Sequence, residues 1–266
     1  MLYFRQKADI LPLSIIIFLF LIDIYLYFIG LSGLLLYLYV IFSVLSKWLI
    51  CAWNHHHQHV QTFSLPLLNR LIEIMYWFQT GVVWYGWVLH HNLGHHVNYQ
   101  DQTKDESAWK SQTTGKAYHP FIYTCIVSIT AYYRSWFVWN KHKKIQKYFL
   151  IMCSIQLAIL IALIYFKPLQ WILLFWLPII TGLLITVYTT YDHHSGLEDE
   201  DPYKSSYNIL APWYNLLTGN LGYHTAHHLK GSLHWSKLPA FHKTIEHKIE
   251  DKYYKTYSLL WHKIGK

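Results

Sequence analysis

The sequence predicts an all-α integral-membrane fold: two transmembrane hairpins, in-plane or re-entrant helices, and a histidine-rich cap on the cytoplasmic side. Three observations carry this expectation. Four apolar runs approach the roughly 20 residues that cross a bilayer as a helix. The 266-residue chain is 53% hydrophobic and 18% aromatic but only 14% charged, where an average soluble domain is about 25% charged. Histidines gather at the ends of the apolar runs, with spacings that suit one face of a helix.

The first hairpin joins residues 11–29 to residues 34–50, with Gly30, Ser32 and Gly33 as its turn. The first run is too long for a secretory signal, and no small-residue cleavage site follows it. Arg5, Lys7 and Lys47 flank the open ends and the turn is uncharged, so the positive-inside rule puts both ends in the cytoplasm. Asp23 lies inside the first run, far from every histidine, and is read as structural. Residues 63–89 are semi-apolar and return the chain to the next histidine group. A single crossing there would separate the two groups, so the segment is expected to lie in the interface or to re-enter. Trp84 and Trp87 within it suit interface packing or the wall of a substrate channel.

Residues 97–120 form a polar loop, and residues 121–139, interrupted by Arg134, read as a second in-plane helix. The lysines of residues 140–147 mark cytoplasm again. A second hairpin follows, 148–166 and 169–190, turning at Lys167-Pro168. Residues 207–221 are an amphipathic return. One domain is expected over 1–266, with a core at 34–240 and a basic cytoplasmic tail at 241–266 that can rest on anionic headgroups.

Four places hold 13 of the 19 histidines, which makes them the candidate chemistry. Residues 55–59 read HHHQH and give His55-x-x-x-His59. Residues 90–96 read HHNLGHH and give His91-x-x-x-His95-His96. Residues 224–228 read HTAHH and give His224-x-x-His227-His228. His193-His194 is the fourth. Residues i and i+4 share a helix face, with i+5 at its edge, so the three imidazoles of the second group are expected to converge on one ion. The plain alternative is a solvated polar face or an affinity tag. No group is terminal, and three groups beside apolar segments favour metal.

The parity of the spans brings His55, His59, His91, His95, His96, His194, His224, His227 and His228 to one membrane face. Nine imidazoles exceed the four ligands of a structural zinc or the three of a catalytic one, so two ions are expected. Imidazole suits zinc, copper, iron and nickel alike. Oxidation of an apolar substrate favours a redox metal, and zinc has no redox chemistry. Asp101, Asp105 and Asp192 are candidates to orient ligand imidazoles. Cys51, Cys125 and Cys153 form no CxxC pair and read as reduced packing residues. A non-catalytic metal transporter or sensor is the rival class, but transporters more often place ligands at the bilayer midplane.

HxxxH, HxxxHH and HxxHH, in this order around two hairpins, resemble the integral-membrane fatty acid desaturase and hydroxylase superfamily. The resemblance covers roughly residues 34–240. GYHTAHHL followed by LHWSKLP is similar to bacterial desaturase-type members. YDHHSGL at 191–197 resembles the NYxEHYGL stretch of membrane alkane monooxygenases, with His194 in the ligand position. It departs from that pattern at Asp192 and His193. The resemblance implies two Fe ions, O2 as oxidant, and a fatty acyl or other lipid substrate. It also implies a separate electron donor (a ferredoxin, a rubredoxin or a cytochrome b5-like protein) and a place in a membrane, such as a bacterial inner membrane. The expected reaction is desaturation, with lipid hydroxylation and oxidative decarboxylation to a terminal alkene as alternatives. No nucleic-acid partner is expected. His56, His57, His90 and His193 are the histidines left over.

Overall fold

A computed structural model describes residues 3–258 and 261–264. The chain divides into two compact units, Met1–Trp87 with Trp139–Thr186, and Val88–Val138 with Val187–Lys266. Among the described residues, four helical stretches are long and apolar enough to cross a membrane: Lys7–Ile29, Gly33–His59, Lys143–Phe166 and Pro168–His194. The four expected spans are therefore present.

In the first unit, α1 (Ile10–Ile29) ends where Gly30 takes a φ of 82°, and α2 (Gly33–His59) begins with Gly33 at 62°. Only glycine adopts such angles without strain, so the two glycines make the tight hairpin. At 27 residues, α2 exceeds the roughly 20 that a bilayer requires by about two turns. Those two turns carry the first histidine group. The faces of α1 and α2 that pack on nothing are apolar, with Leu11, Phe18, Leu34 and Tyr37 largely exposed, as lipid-facing surface should be. The inward faces of α1 and α2 meet α3 (Pro66–Thr80) in a core of Leu13, Ile16, Ile50, Ile72, Met75 and Tyr76. At 15 residues α3 is too short to cross a bilayer, in keeping with the expectation for 63–89. It stops at Gly81, whose φ is 71° and where an added Cβ would lie 2.5 Å from Ile179 Cγ2.

The segment α4 (Trp84–Trp87) follows. The side chain of Trp84 lies outside the described residues, and Trp87 packs edge-on against His55 with ring centroids 5.8 Å apart. The second hairpin is α7 (Lys143–Phe166), then α8 (Pro168–Trp171), a π-helical turn at Ile172–Trp176, and α9 (Leu177–His194). The expected break at Lys167-Pro168 is present. Gly182 of α9 sits so close to α2 that a Cβ there would lie 3.0 Å from Trp48 N. A small residue at that point allows two spans to pack backbone to backbone.

Lys47 corrects the reading of the first hairpin. It does not flank an open end. It is 1% exposed, and its Nζ donates to Asp23 Oδ2 at 2.7 Å and to Ser43 Oγ at 2.8 Å. Tyr39 Oη donates to Asp23 Oδ1 at 2.6 Å. Asp23 is structural, as expected, but its partner is the lysine counted as a topology signal. A charge in an apolar span is retained only when paired. The cytoplasmic placement therefore loses one of its supports.

In the second unit, a π-helical segment, Val88–His95, leads into α5 (His96–Asn98). A turn-rich loop follows, and then α6 (Pro120–Trp139). Although α6 has 20 residues, it is absent from the candidate spans. Its Arg134 turns back to donate to Glu106 O at 2.7 Å. Beyond α9 come α10 (Pro212–Thr218), α11 (His224–Leu229) and α12 (Leu238–Ile245). Two antiparallel strands, β1 (Lys255–Ser258) and β2 (Trp261–Ile264), close the chain.

The stretch expected as a basic tail from 241 is in part core. Ile245, Ile249, Tyr253 and Tyr254 pack on Ala226 and Leu238. Lys255 is buried and points inward to the carbonyl and carboxylate of Asp192. The lysine count of this segment suggested a headgroup-facing arm. Its apolar residues instead dock it under the third histidine group.

Candidate metal centre

In the first unit, the histidines stand on the last two turns of α2. His55 and His59 are i and i+4, share a face, and have ring centroids 4.9 Å apart, with a nitrogen of each within 4.8 Å. His57 points elsewhere. Its Nδ1 accepts from the Thr62 N–H at 3.3 Å, so the ring proton belongs on Nε2, which donates to Glu73 Oε1 at 3.2 Å. Arg70 pairs with the same carboxylate oxygen at 2.8 Å. Burial pushes the Glu73 carboxyl up to about 9, against the pull of Arg70. His57 is thus a structural residue, and its neighbours at 55 and 59 face away from it.

In the second unit, the geometry differs from the expected convergence of three imidazoles on one ion. His91 and His96, five residues apart, group with His227, and their ligand atoms all lie within 4.8 Å of one another. His96 Nε2 and His227 Nε2 are 3.0 Å apart. His95 groups instead with His194 and His228, also within 4.8 Å. The cause is local. The segment Val88–His95 is π-helical rather than α-helical, and i→i+5 hydrogen bonding brings residues five apart more nearly into line. The His-x-x-x-His-His motif is therefore divided between two groups of imidazoles.

The third motif is divided in the same way. On α11, His224 and His228 are i and i+4, and their Nε2 atoms are 3.2 Å apart. His224 Nε2 also lies 3.0 Å from His194 Nε2. His227 projects to the other group. Tyr99 covers His228, with ring centroids 4.1 Å apart.

Two imidazoles of the His95 group have their tautomers fixed by the protein. His95 Nδ1 meets Asp105 Oδ1 at 2.8 Å, with both side chains buried. His194 Nδ1 donates to the carbonyl of Ser205 at 3.0 Å. The donor proton is on Nδ1 in each case, so each Nε2 presents a lone pair. His95 Nε2 is buried with no hydrogen-bond partner among the described residues. Buried polar atoms are rarely left unpaired. A cation would satisfy the unpaired His95 Nε2 together with the ligand atoms of His194 and His228 within 4.8 Å of it, so these residues fit a metal ion. Burial holds the His224 and His228 imidazoles well below their ordinary range, and neighbouring imidazoles push the same way. They are neutral near pH 7, as ligands must be. Burial raises Asp105, but the partner His95 and hydrogen bonds from His95 and the Ser107 N–H outweigh it and hold the carboxyl below its usual value.

Of the three aspartates considered as orienters, Asp105 bonds a ligand histidine. Asp101 caps its own turn through Thr103 and Lys104, and Asp192 receives Lys255. The Ser205 carbonyl is not legible in the sequence, since a backbone oxygen leaves no trace in residue identity. His90 is not grouped with either set; burial pushes it down to about 4, and the nearby Arg134 guanidinium acts in the same direction.

Four spans and two groups of buried or half-buried imidazoles define a polytopic α-helical membrane protein with a histidine-rich centre able to bind metal. The chain belongs to the fatty acid desaturase family, whose model matches residues 31–261. Membership makes it an integral-membrane oxidoreductase of the fatty acyl desaturase and hydroxylase superfamily, a family that uses iron. Neither the curated proteins nor the solved structures include a match to the chain.

Proposed function

We propose that this protein introduces a double bond into a fatty acyl chain, with two iron ions and O2. His91, His96 and His227 are ligands to one ion. His95, His194, His224 and His228 are ligands to the other, and His55 and His59 are the remaining two ligands. The observation that supports this reading best is the sorting of the second unit's imidazoles into two groups. One ion would not need two sets of converging nitrogens.

Bound iron would supply the one-electron chemistry needed to use O2 against an unactivated C–H bond. The overall change balances as one O2, two electrons and two protons consumed, two hydrogens removed from adjacent carbons, and two waters formed. The chain's own residues hold and orient. Asp105 and the Ser205 carbonyl keep two imidazoles in the tautomer that binds metal, and Tyr99 covers His228. The electrons come from a separate ferredoxin, rubredoxin or cytochrome b5-like donor. The histidine centre faces the cytoplasm, at an inner membrane if the source is bacterial. The lysines of 140–147 support that side.

Expression in a host that lacks the activity, followed by mass spectrometry of membrane lipids and headspace, tests the reaction. A new double bond is the expected product. An added hydroxyl or a volatile terminal alkene would replace desaturation with one of its sister reactions. An unchanged lipid profile with the donor co-expressed would contradict the proposal.

A further inference from the structure

His224 differs from its neighbours in how it is held. His95 is oriented by Asp105 and His194 by the Ser205 carbonyl, each through Nδ1. His224 is 3% exposed, yet its Nδ1 has no hydrogen-bond partner among the described residues. Its Nε2 points toward both His194 Nε2 and His228 Nε2. A hydrogen bond therefore does not fix the ring plane that aims this nitrogen.

The ring of His193 lies flat on it. The two centroids are 4.0 Å apart and the planes are inclined by only 19°. His193 is itself immobilised from both ends. Its Nδ1 faces the carbonyl of Tyr207 at 3.3 Å, and a carbonyl can only accept, so the proton is on Nδ1. Its Nε2 lone pair then accepts from Tyr214 Oη at 3.0 Å. Tyr214 is buried and lies on α10. Both nitrogens of His193 are thus committed to the protein, and its 3% exposure leaves it no other contact with solvent or headgroups.

We propose that His193 is a positioning residue. With Tyr214 and the Tyr207 carbonyl holding it, it clamps the face of His224 and so aims His224 Nε2 at the metal. Stacking does for His224 what hydrogen bonds do for His95 and His194. The inference rests on the proposed two-metal reading. It extends that reading to a histidine that is adjacent to a ligand but binds no metal itself.

The test is Co(II) binding by the purified, metal-depleted protein in detergent micelles, followed by titration and by the visible absorption of the bound ion. Variants are His193→Ala, His193→Phe and Tyr214→Phe. Loss of an orienting neighbour typically weakens metal binding by about 10–100-fold. His193→Ala should weaken one of the two sites by that factor and alter its visible spectrum. His193→Phe keeps a flat ring against His224 and should recover most of the affinity. Tyr214→Phe, the mildest change, should lie between wild type and His193→Ala, and it serves if the alanine variant does not fold. Wild-type affinity and spectrum in His193→Ala, or in Tyr214→Phe where alanine fails to fold, would overturn the proposal. So would His193→Phe binding as weakly as His193→Ala, because the ring face would then not be what matters. If the wild type binds no Co(II), the two-metal reading fails instead, before the role of His193 is reached.

Discussion

The Asp105 carboxylate and the His95 imidazole form a buried pair, Oδ1 to Nδ1, at 2.8 Å. The pair fixes which nitrogen of His95 carries the proton and leaves Nε2 facing His194 and His228. Asp105→Asn keeps the shape but can present an amide N–H to Nδ1, which favours the wrong tautomer. Iron affinity should fall about 10–100-fold and activity with it. Unchanged iron content in purified Asp105→Asn would show that the carboxylate is not needed for orientation.

Gly94 lies one residue before His95, and a Cβ there would come within 2.3 Å of Glu106 Cγ and 3.2 Å of the Leu89 carbonyl. Glu106 follows Asp105 directly. Gly94→Ala should push this loop away and disturb the Asp105–His95 pair, costing about 1–3 kcal/mol as overpacking does. A lowered unfolding midpoint in detergent together with reduced iron is the expected result; a midpoint and iron content equal to wild type would contradict the close approach.

The Asp23–Lys47 pair calls for a double-mutant cycle. Removing one partner leaves a buried charge uncompensated, which costs about 3–5 kcal/mol. Lys47→Met and Asp23→Leu should each destabilise strongly. The double variant should recover most of the loss, since a hydrophobic replacement of both partners is often close to neutral. Additive losses would mean that the two side chains do not act as a pair.

The pH dependence has a definite sign. Burial depresses His224 and His228 in the folded protein and takes His90 to about 4. Unfolded, the same groups titrate near about 6.5. Below that value the unfolded chain binds more protons, so metal-free protein should lose stability as pH falls from about 6.5, continuing toward 4. Asp105, held low, acts in the same direction. A His90→Gln variant should lose less stability than wild type between about pH 6.5 and 4. An unfolding midpoint that rises on acidification would reverse the argument.

The spans were legible because run length and apolarity alone decide whether a helix can cross a bilayer. The histidine groups were legible from spacing. Their division between two sets was not, because it depends on the π-helical register at Val88–His95 and on the direction each ring takes from α11. The reading of Lys47 as a flank of the first hairpin fails for a related reason. A sequence reports that a charge exists but not where it points, and its partner Asp23 lies 24 positions earlier on another helix. In the segment from 241 the lysines suggest a solvated tail, while Ile245, Ile249, Tyr253 and Tyr254 decide where it packs. In the sequence His193 is only one of the histidines left over. Its stack on His224 brings together α9 and α11, a relation that spacing cannot express.

The central claim is that two neighbouring histidines of α11 serve different metal ions. Iron content of purified protein tests it most directly, in wild type, His227→Ala, His228→Ala and the double variant. Wild type should hold about two irons per chain, since two sets of imidazoles exceed what one ion uses. Each single variant should lose one iron, and the double variant both. One iron in the wild type, or two irons retained in either single variant, would contradict the account.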